Sequence, residues 1–202
     1  MRLTYDDYNR KCVALAKFLI GKTLVRRTVD DSLLKARIIE TEAYPGGNDR
    51  ASYSYNGRRT EYNNSMYEKP GTLFVHKIRS MCCFGVSSKG DGAAILIRAV
   101  EPLEGKGQMT KIRQANKRNT IKEIDLCNGP AKLCQAMSIT MSLNGKDSVD
   151  SDELWIEHSQ DEIDITIKKS KRIGIGNKGE EAIAKLWRFY EENNYLVSHF
   201  KA

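Results

Sequence analysis

Ile38-Ile39-Glu40-Thr41-Glu42-Ala43-Tyr44-Pro45-Gly46-Gly47 is the stretch around which the rest of this chain is organised. An apolar, β-prone run delivers two carboxylates to its end, followed by an aromatic residue and a Pro-Gly-Gly loop. Side chains alternate along a strand, so Glu40 and Glu42 share one face, Thr41 points away and Tyr44 falls on the carboxylate side. A carboxylate where a strand opens into a loop is rigidly placed yet able to reach a ligand, as a general base must be. The tyrosine can stack on a flat ligand. The pattern points to acid–base chemistry on something planar.

Working outward, residues 22–28 and 33–42 read as strands joined by a polar turn at Asp30-Asp31. Ahead of them, Asp6 or Asp7 caps a helix in which Tyr8, Cys12, Leu15, Ala16 and Leu19 keep close to helical spacing, with Gly21 ending it. Residues 45–72 are loop-rich. Residues 72–88 and 94–102 read as two further strands, connected by a turn at 87–92 where Gly90, Asp91 and Gly92 supply the backbone angles. Residues 103–125 form a polar, basic connector. A short helix spans 130–136 with Pro130 in its first turn, and 154–157, 163–167, 172–175 and 187–190 are short strands. There is no internal repeat, heptad or linker. The chain therefore reads as one α+β domain, 1–202, built largely on antiparallel strands.

The bulk properties narrow the function. At 202 residues and 40% hydrophobic content the chain has a substantial core. No apolar run approaches the ~20 residues that span a bilayer, and Asp6, Asp7, Arg10 and Lys11 interrupt any signal-like start. Five cysteines without zinc-like spacing read as free thiols, so the expectation is an intracellular protein with no membrane partner. The net charge of +7 favours a polyanionic partner. Two basic clusters stand out: six Lys/Arg without an acid between Lys106 and Lys122, and Lys168-Lys169-Ser170-Lys171-Arg172. Either is a solvated surface or a phosphate contact, and they matter together only on one face.

Other motifs are weaker. Gly174-Ile175-Gly176-Asn177-Lys178-Gly179 matches a dinucleotide fingerprint, but too little chain follows for a βαβ unit; its glycines can still offer N–H groups to a phosphate. His76, His158 and His199 lie far apart without metal spacing, so neither a metal nor a cofactor is expected. No nucleophile elbow is present. Glu40 and Glu42, ~7 Å apart as same-face neighbours, sit on one side of any bond, whereas a sugar-hydrolase pair needs opposite sides. One catalytic and one structural glutamate fits better. The segment 50–60 interleaves Tyr53 and Tyr55 with Arg50, Arg58 and Arg59, a combination suited to unstacked nucleotides; either tyrosine is equally readable as core.

Taken in order, these segments resemble the alkyladenine (3-methyladenine) DNA glycosylase family. The residues carrying the resemblance are Arg37 to Tyr44, Gly57-Arg58-Arg59-Thr60, Lys69-Pro70-Gly71-Thr72-Leu73, Gly90-Asp91-Gly92-Ala93, Leu96 to Gly105, Asn128 to Leu133, Arg172 to Gly176 and Trp187-Arg188-Phe189-Tyr190. They cover nearly the whole chain. The resemblance implies a curved sheet with flanking helices and a protruding β-hairpin that enters DNA. It implies a monofunctional purine glycosylase of base excision repair, which flips a damaged purine from double-stranded DNA and cuts its bond to the sugar without a metal. Glu42 matches the water-activating carboxylate and Arg98 the basic residue beside it, whose charge would keep Glu42 ionised. Tyr44 matches a pocket wall. Arg58, Thr60, Lys132, Gly174 and Gly176 are expected to hold phosphates, and Arg79 and Met81 to lie where the hairpin intercalates. A monomer is expected, in the nucleus of a eukaryote or the cytoplasm of a bacterium.

Departures are equally specific. Tyr53 stands where the family commonly has histidine, and His76 where the opposite wall is commonly tyrosine, so an aromatic sandwich survives with altered polarity. A protonated His76 would repel a cationic methylpurine. Arg79 replaces the usual wedge tyrosine and fills less volume. The pocket asparagine that obstructs guanine's amino group falls at Gly85 or Val86, neither of which presents an amide, so guanine lesions should be better tolerated. The rival readings are a non-catalytic damaged-DNA-binding module of the same fold and a hydrolase of free nucleosides. Retention of Glu42 and Arg98 argues against the first, and the basic segments are left unexplained by the second.

Overall fold

In the computed structural model, residues 1–115, 119–159 and 164–198 are described. The sheet is organised by β2 (Leu33–Tyr44), which is buried along most of its twelve residues. One edge of β2 pairs with β5 (Ala94–Glu104). Its other edge is shared: β1 (Thr23–Arg27) takes residues 33–37, and β8 (Arg188–Glu191) takes residues 40–42. β3 (Leu73–Ile78) and β4 (Met81–Ser87) extend the sheet beyond β5. β6 (Leu154–Glu157) lies outside β1, and β7 (Ile167–Ser170) outside β8. Among the described residues, eight strands join in one sheet and every paired strand neighbour is antiparallel. That excludes a dinucleotide-binding βαβ unit around Gly174 to Gly179.

The register of β2 against β5 is broken where the edge changes partner. Ile38 faces Val100, but Glu40 faces Ala99 and Thr41 faces Ile97. One residue is extra on each strand, Ile39 on β2 and Arg98 on β5, and each bulge turns the following side chain over. Leu34, Ala36 and Ile38 pack into the main core, as do Ala43, Ile95, Ile97 and Val100. Ile39 and Ala99 instead pack with Leu196 and Val197 on the opposite face. Simple alternation from Ile38 would have driven Glu40 and Glu42 into the main core; the bulges carry them to the other side.

The main core lies between the sheet and α1 (Tyr5–Tyr8), α2 (Cys12–Phe18) and α4 (Pro130–Ala136), with Leu15, Leu19, Leu24, Phe84 and Leu133 fully buried. Burying each such side chain contributes about 1.5–3 kcal/mol. Thr41 faces this layer and donates from Oγ1 to the carbonyl of Ala16 at 2.8 Å.

Several expectations are corrected. The first helix is two helices, capped by Thr4 in a reciprocal capping box with Asp7 rather than by Asp6 or Asp7. The run 72–88 is a hairpin, because Arg79 adopts φ +57° and turns the chain after Ile78. Residues 103–125 are no plain connector: β5 reaches Glu104, α3 (Lys106–Gln114) follows, and residues 123–125 make a 3₁₀ turn. The polar surface of α3 hid it, since the described helix buries only Met109 and Arg113. A seven-residue 3₁₀ helix (Glu61–Tyr67) interrupts the loop-rich region, and α5 (Glu180–Ala184) follows Gly179. The segment 172–175 is not a strand, and the final strand is displaced one residue to Arg188–Glu191. Ile163 and His199 lie outside the described residues; the strand expected at 163–167 begins at Ile167.

The basic stretch from Lys106 is partly internal. Lys106 pairs with Glu123 at 2.5 Å. Arg113 is buried and donates to the carbonyls of Asp125 and Leu126. Lys117 and Arg118 lie outside the described residues. Gly71 marks a second tight point, with φ +93° and the Tyr8 ring only 2.9 Å from where a Cβ would stand. Gly71→Ala is therefore expected to destabilise the fold by more than about 1 kcal/mol, read as a lowered denaturation midpoint. An unchanged midpoint would refute this packing.

Candidate active site

β2, β5, β8 and the loop after β7 meet around two carboxylates that are wholly buried. Glu40 is saturated by four donors. Its Oε1 accepts from Arg98 Nε at 2.8 Å and Arg188 Nε at 2.6 Å; its Oε2 accepts from the Ser198 N–H at 2.9 Å and Oγ at 2.5 Å. Burial opposes its ionisation, but Arg98 and Arg188 outweigh burial and hold it below the usual carboxylate range. Glu40 is thus the structural member of the pair.

Glu42 is held more lightly. Oε1 accepts the Ile173 N–H at 2.7 Å, Oε2 accepts the Tyr44 hydroxyl at 2.7 Å, and Arg98 Nη1 stands 3.4 Å from Oε2. Burial pushes the carboxyl up; Arg98, the Ile173 N–H and Tyr44 draw it back without cancelling the rise. Arg98 thus favours the ionised form, as expected, but does not outweigh burial. Arg98 bonds primarily to Glu40. A raised carboxylate near a ligand cavity is suited to taking up a proton.

Tyr44, Arg98 and Ile173, which meet the Glu42 carboxylate, all line one cavity of about 440 Å³. Glu42 itself sits just behind that wall. Arg172 fixes the loop carrying Ile173: it pairs in bidentate fashion with Asp49 at 2.6 and 2.7 Å and donates to the Ala43 carbonyl at 2.9 Å. Its guanidinium also lies 4.6 Å from the centre of the Tyr44 ring, covering one face of that ring.

Tyr53, His76 and Gly85 line the same cavity. Tyr53 and His76 meet edge to face, with centroids 5.3 Å apart at 69°, rather than as two parallel plates. His76 stacks on Phe74 at 4.6 Å and 18°, so the two rings and Tyr53 form one aromatic wall. Burial lowers the His76 imidazole to about 4, leaving it neutral near pH 7. The repulsion expected from a protonated His76 is therefore absent. Arg79 and Met81 are exposed at the hairpin tip, and Ile78 beside them belongs to the cavity lining.

The expected phosphate contacts are spread out. Arg58 is exposed, and Gly174 and Gly176 are exposed with open space where a Cβ would lie. Thr60 uses both its N–H and its hydroxyl on Asn63 Oδ1, at 2.7 and 3.0 Å. Lys132 Nζ is held by Asp125 and Asn128, each at 2.7 Å. Thr60 reaches a phosphate only by exchanging its present partner, whereas the half-exposed Lys132 ammonium, with three N–H donors for these two acceptors, can bind one without doing so.

With this geometry in view, the sequence model of the methylpurine-DNA glycosylase (MPG) family matches residues 6–195. The chain belongs to the methylpurine-DNA glycosylase family. It is 41% identical over 204 residues to a DNA-3-methyladenine glycosylase of Mus musculus, covering 98% of this chain and 61% of that protein. A Homo sapiens protein of the same name is 40% identical over 203 residues, covering 98% and 68%. A Clostridium perfringens (strain 13 / Type A) protein carrying a 3-methyladenine DNA glycosylase name is 42% identical over 205 residues, covering 98% and 99%. The chain thus spans about six-tenths of the mouse relative and nearly all of the clostridial one.

Several members of this candidate site escape a reading of the sequence alone. Ser198, Asp49 and Phe74 carry no motif signal, and Ile173 acts through its backbone. Lys178 lay within a recognised glycine motif, yet only the fold brings it to the cavity. Gly85 is constrained for a reason unrelated to lesion choice: a Cβ there would stand 2.0 Å from the Ile95 carbonyl oxygen. Val86, the other candidate for the missing amide, lies in the main core. Gly85→Ala is expected to cost about 1–3 kcal/mol through overpacking, measured by denaturant titration. A stable Gly85→Ala protein would contradict this close approach.

Proposed function

We propose that this chain is a monofunctional purine DNA glycosylase of base excision repair, acting as a monomer on double-stranded DNA. Its substrate is a damaged purine flipped into the cavity, and Glu42 activates the water that cleaves the N-glycosidic bond. The observation that carries this reading is Glu42 itself: wholly buried, its carboxyl raised, and its oxygens met by Tyr44, Arg98 and Ile173 at the inner wall of an aromatic cavity. Family membership supports the reaction class.

Flipping costs a few kcal/mol, least for a damaged or mispaired base. The extruded purine stacks against Tyr44 and the wall of Tyr53 and His76. Water at Glu42 gives up a proton to the carboxylate as its oxygen bonds to the anomeric carbon. The bond to the base nitrogen breaks, and its electron pair leaves with the purine. The product is an abasic site, reached without a lysine adduct. Arg79 and Met81 at the exposed hairpin tip fill the gap left in the helix, while Arg58 and the Gly174–Gly176 loop are open to phosphates.

Single-turnover base release from duplexes bearing one hypoxanthine or one ethenoadenine tests the proposal. Glu42→Gln is expected to slow release by about 10²–10⁴-fold, the usual worth of a general base. Release by neither protein, with tight damage-specific binding, would instead favour the non-catalytic module. The pH dependence has a definite sign. Glu42 must be ionised, so the rate should fall tenfold per unit below its pKa. Because burial raises that pKa, the acid limb should lie above the ordinary glutamate value of about 4.3. A limb at or below that value would contradict the assignment.

A further inference from the structure

Arg188 does not itself line the cavity, and its guanidinium bonds Glu40, yet it is the second cation of the buried cluster. In register it faces Glu42 across β2 and β8, but its guanidinium reaches back to Glu40. There it shares Oε1 with Arg98, while its remaining nitrogens donate to Ser170 Oγ at 3.0 Å and the Ser198 carbonyl at 2.9 Å. Its own position is thus fixed on three sides, with the Tyr190 ring 4.6 Å beneath it.

The charge balance gives this arrangement a consequence. Arg98 is shared between two carboxylates, bonded to Glu40 and 3.4 Å from Glu42. With Arg188 present, Glu40 is neutralised independently, and Arg98 retains charge for its neighbour. We propose that Arg188 is a positioning residue for base excision: by saturating Glu40 it releases Arg98 toward Glu42 and fixes the guanidinium at the cavity wall. The inference rests on Glu42 being the general base.

The other groups around Glu42 do not supply this balance. Arg172 is paired with Asp49, and Tyr44 is held protonated by burial beside the Glu42 carboxylate. Cys83 on β4 and Cys12 on α2 are pushed up by burial, to about 11 and about 12, so both thiols are neutral. Ser198 contributes only neutral donors to Glu40.

Removing Arg188 leaves a buried carboxylate that draws Arg98 and adds negative field at Glu42. Both effects raise the Glu42 pKa. Single-turnover excision against pH should therefore show the Arg188→Gln acid limb about one pH unit or more above wild type, with damaged-duplex affinity at high pH retained. Arg188→Lys should recover part of the shift, because it keeps the charge. Glu40→Gln combined with Arg188→Gln removes both charges, and its limb should return to or below the wild-type position. That double variant keeps the test available if the single variant does not fold, since exchanging a whole buried pair is tolerated better than breaking it. A limb in folded Arg188→Gln that coincides with wild type overturns the proposal, as does an upward shift in the double variant. Wild-type rates in Glu42→Gln would instead overturn the underlying base assignment, whatever Arg188 does. A merely structural role for Arg188 would lower stability without moving the limb.

Discussion

Two carboxylates taken wholly out of water constrain everything around them. Transferring such ions inward costs several kcal/mol each unless cations and hydrogen-bond donors meet them. In this protein both cations come from the strands flanking β2, Arg98 from β5 and Arg188 from β8, and they converge on one oxygen of Glu40. The exchange of edge partners along β2, from β1 to β8, is what allows cations to approach from two sides. The facing bulges at Ile39 and Arg98 turn the carboxylates and the arginine onto one face. Sheet topology and site electrostatics are therefore one design.

The two glutamates illustrate how position two residues apart divides a shared chemistry. Glu40 has four donors and stays ionised as a fixed charge. Glu42 has fewer, and burial moves it toward accepting a proton. Pairs of acids whose surroundings push their pKa values apart are a recurring route to acid–base function. The Arg172–Asp49 pair plays a parallel supporting part. It pins the loop whose Ile173 N–H meets Glu42 and covers one face of Tyr44, leaving the ring firmly oriented.

Two of the three rings in the aromatic wall, Phe74 and His76, come from β3, and Tyr53 comes from the preceding loop. His76 is stacked on Phe74 and buried, with Nδ1 lacking a hydrogen-bond partner. Burial with no carboxylate beside it leaves the imidazole neutral, so its contribution to the cavity is a polarisable ring rather than a charge. The close approach at Gly85 belongs to β4, the strand paired with β3, and serves the sheet.

The sequence by itself determined the strand that carries Glu40 and Glu42 (though the structure extends its end from Glu42 to Tyr44), the common face of Glu40 and Glu42, the helix opening at Pro130 and the antiparallel character of the sheet. These follow from alternation, turn residues and local capping, all of which act over a few neighbours. Resemblance to a family then identified Arg98, Tyr53 and His76 as candidates for one pocket. Tertiary structure alone decided which face the carboxylates occupy, because a bulge adds one residue to a strand and leaves no mark in its composition. It also decided that Arg98 bonds first to Glu40, that Arg188 and Ser198 complete that charge cluster, and that His76 is neutral. Those outcomes depend on burial and on contacts between segments up to 158 residues apart. No local pattern encodes them.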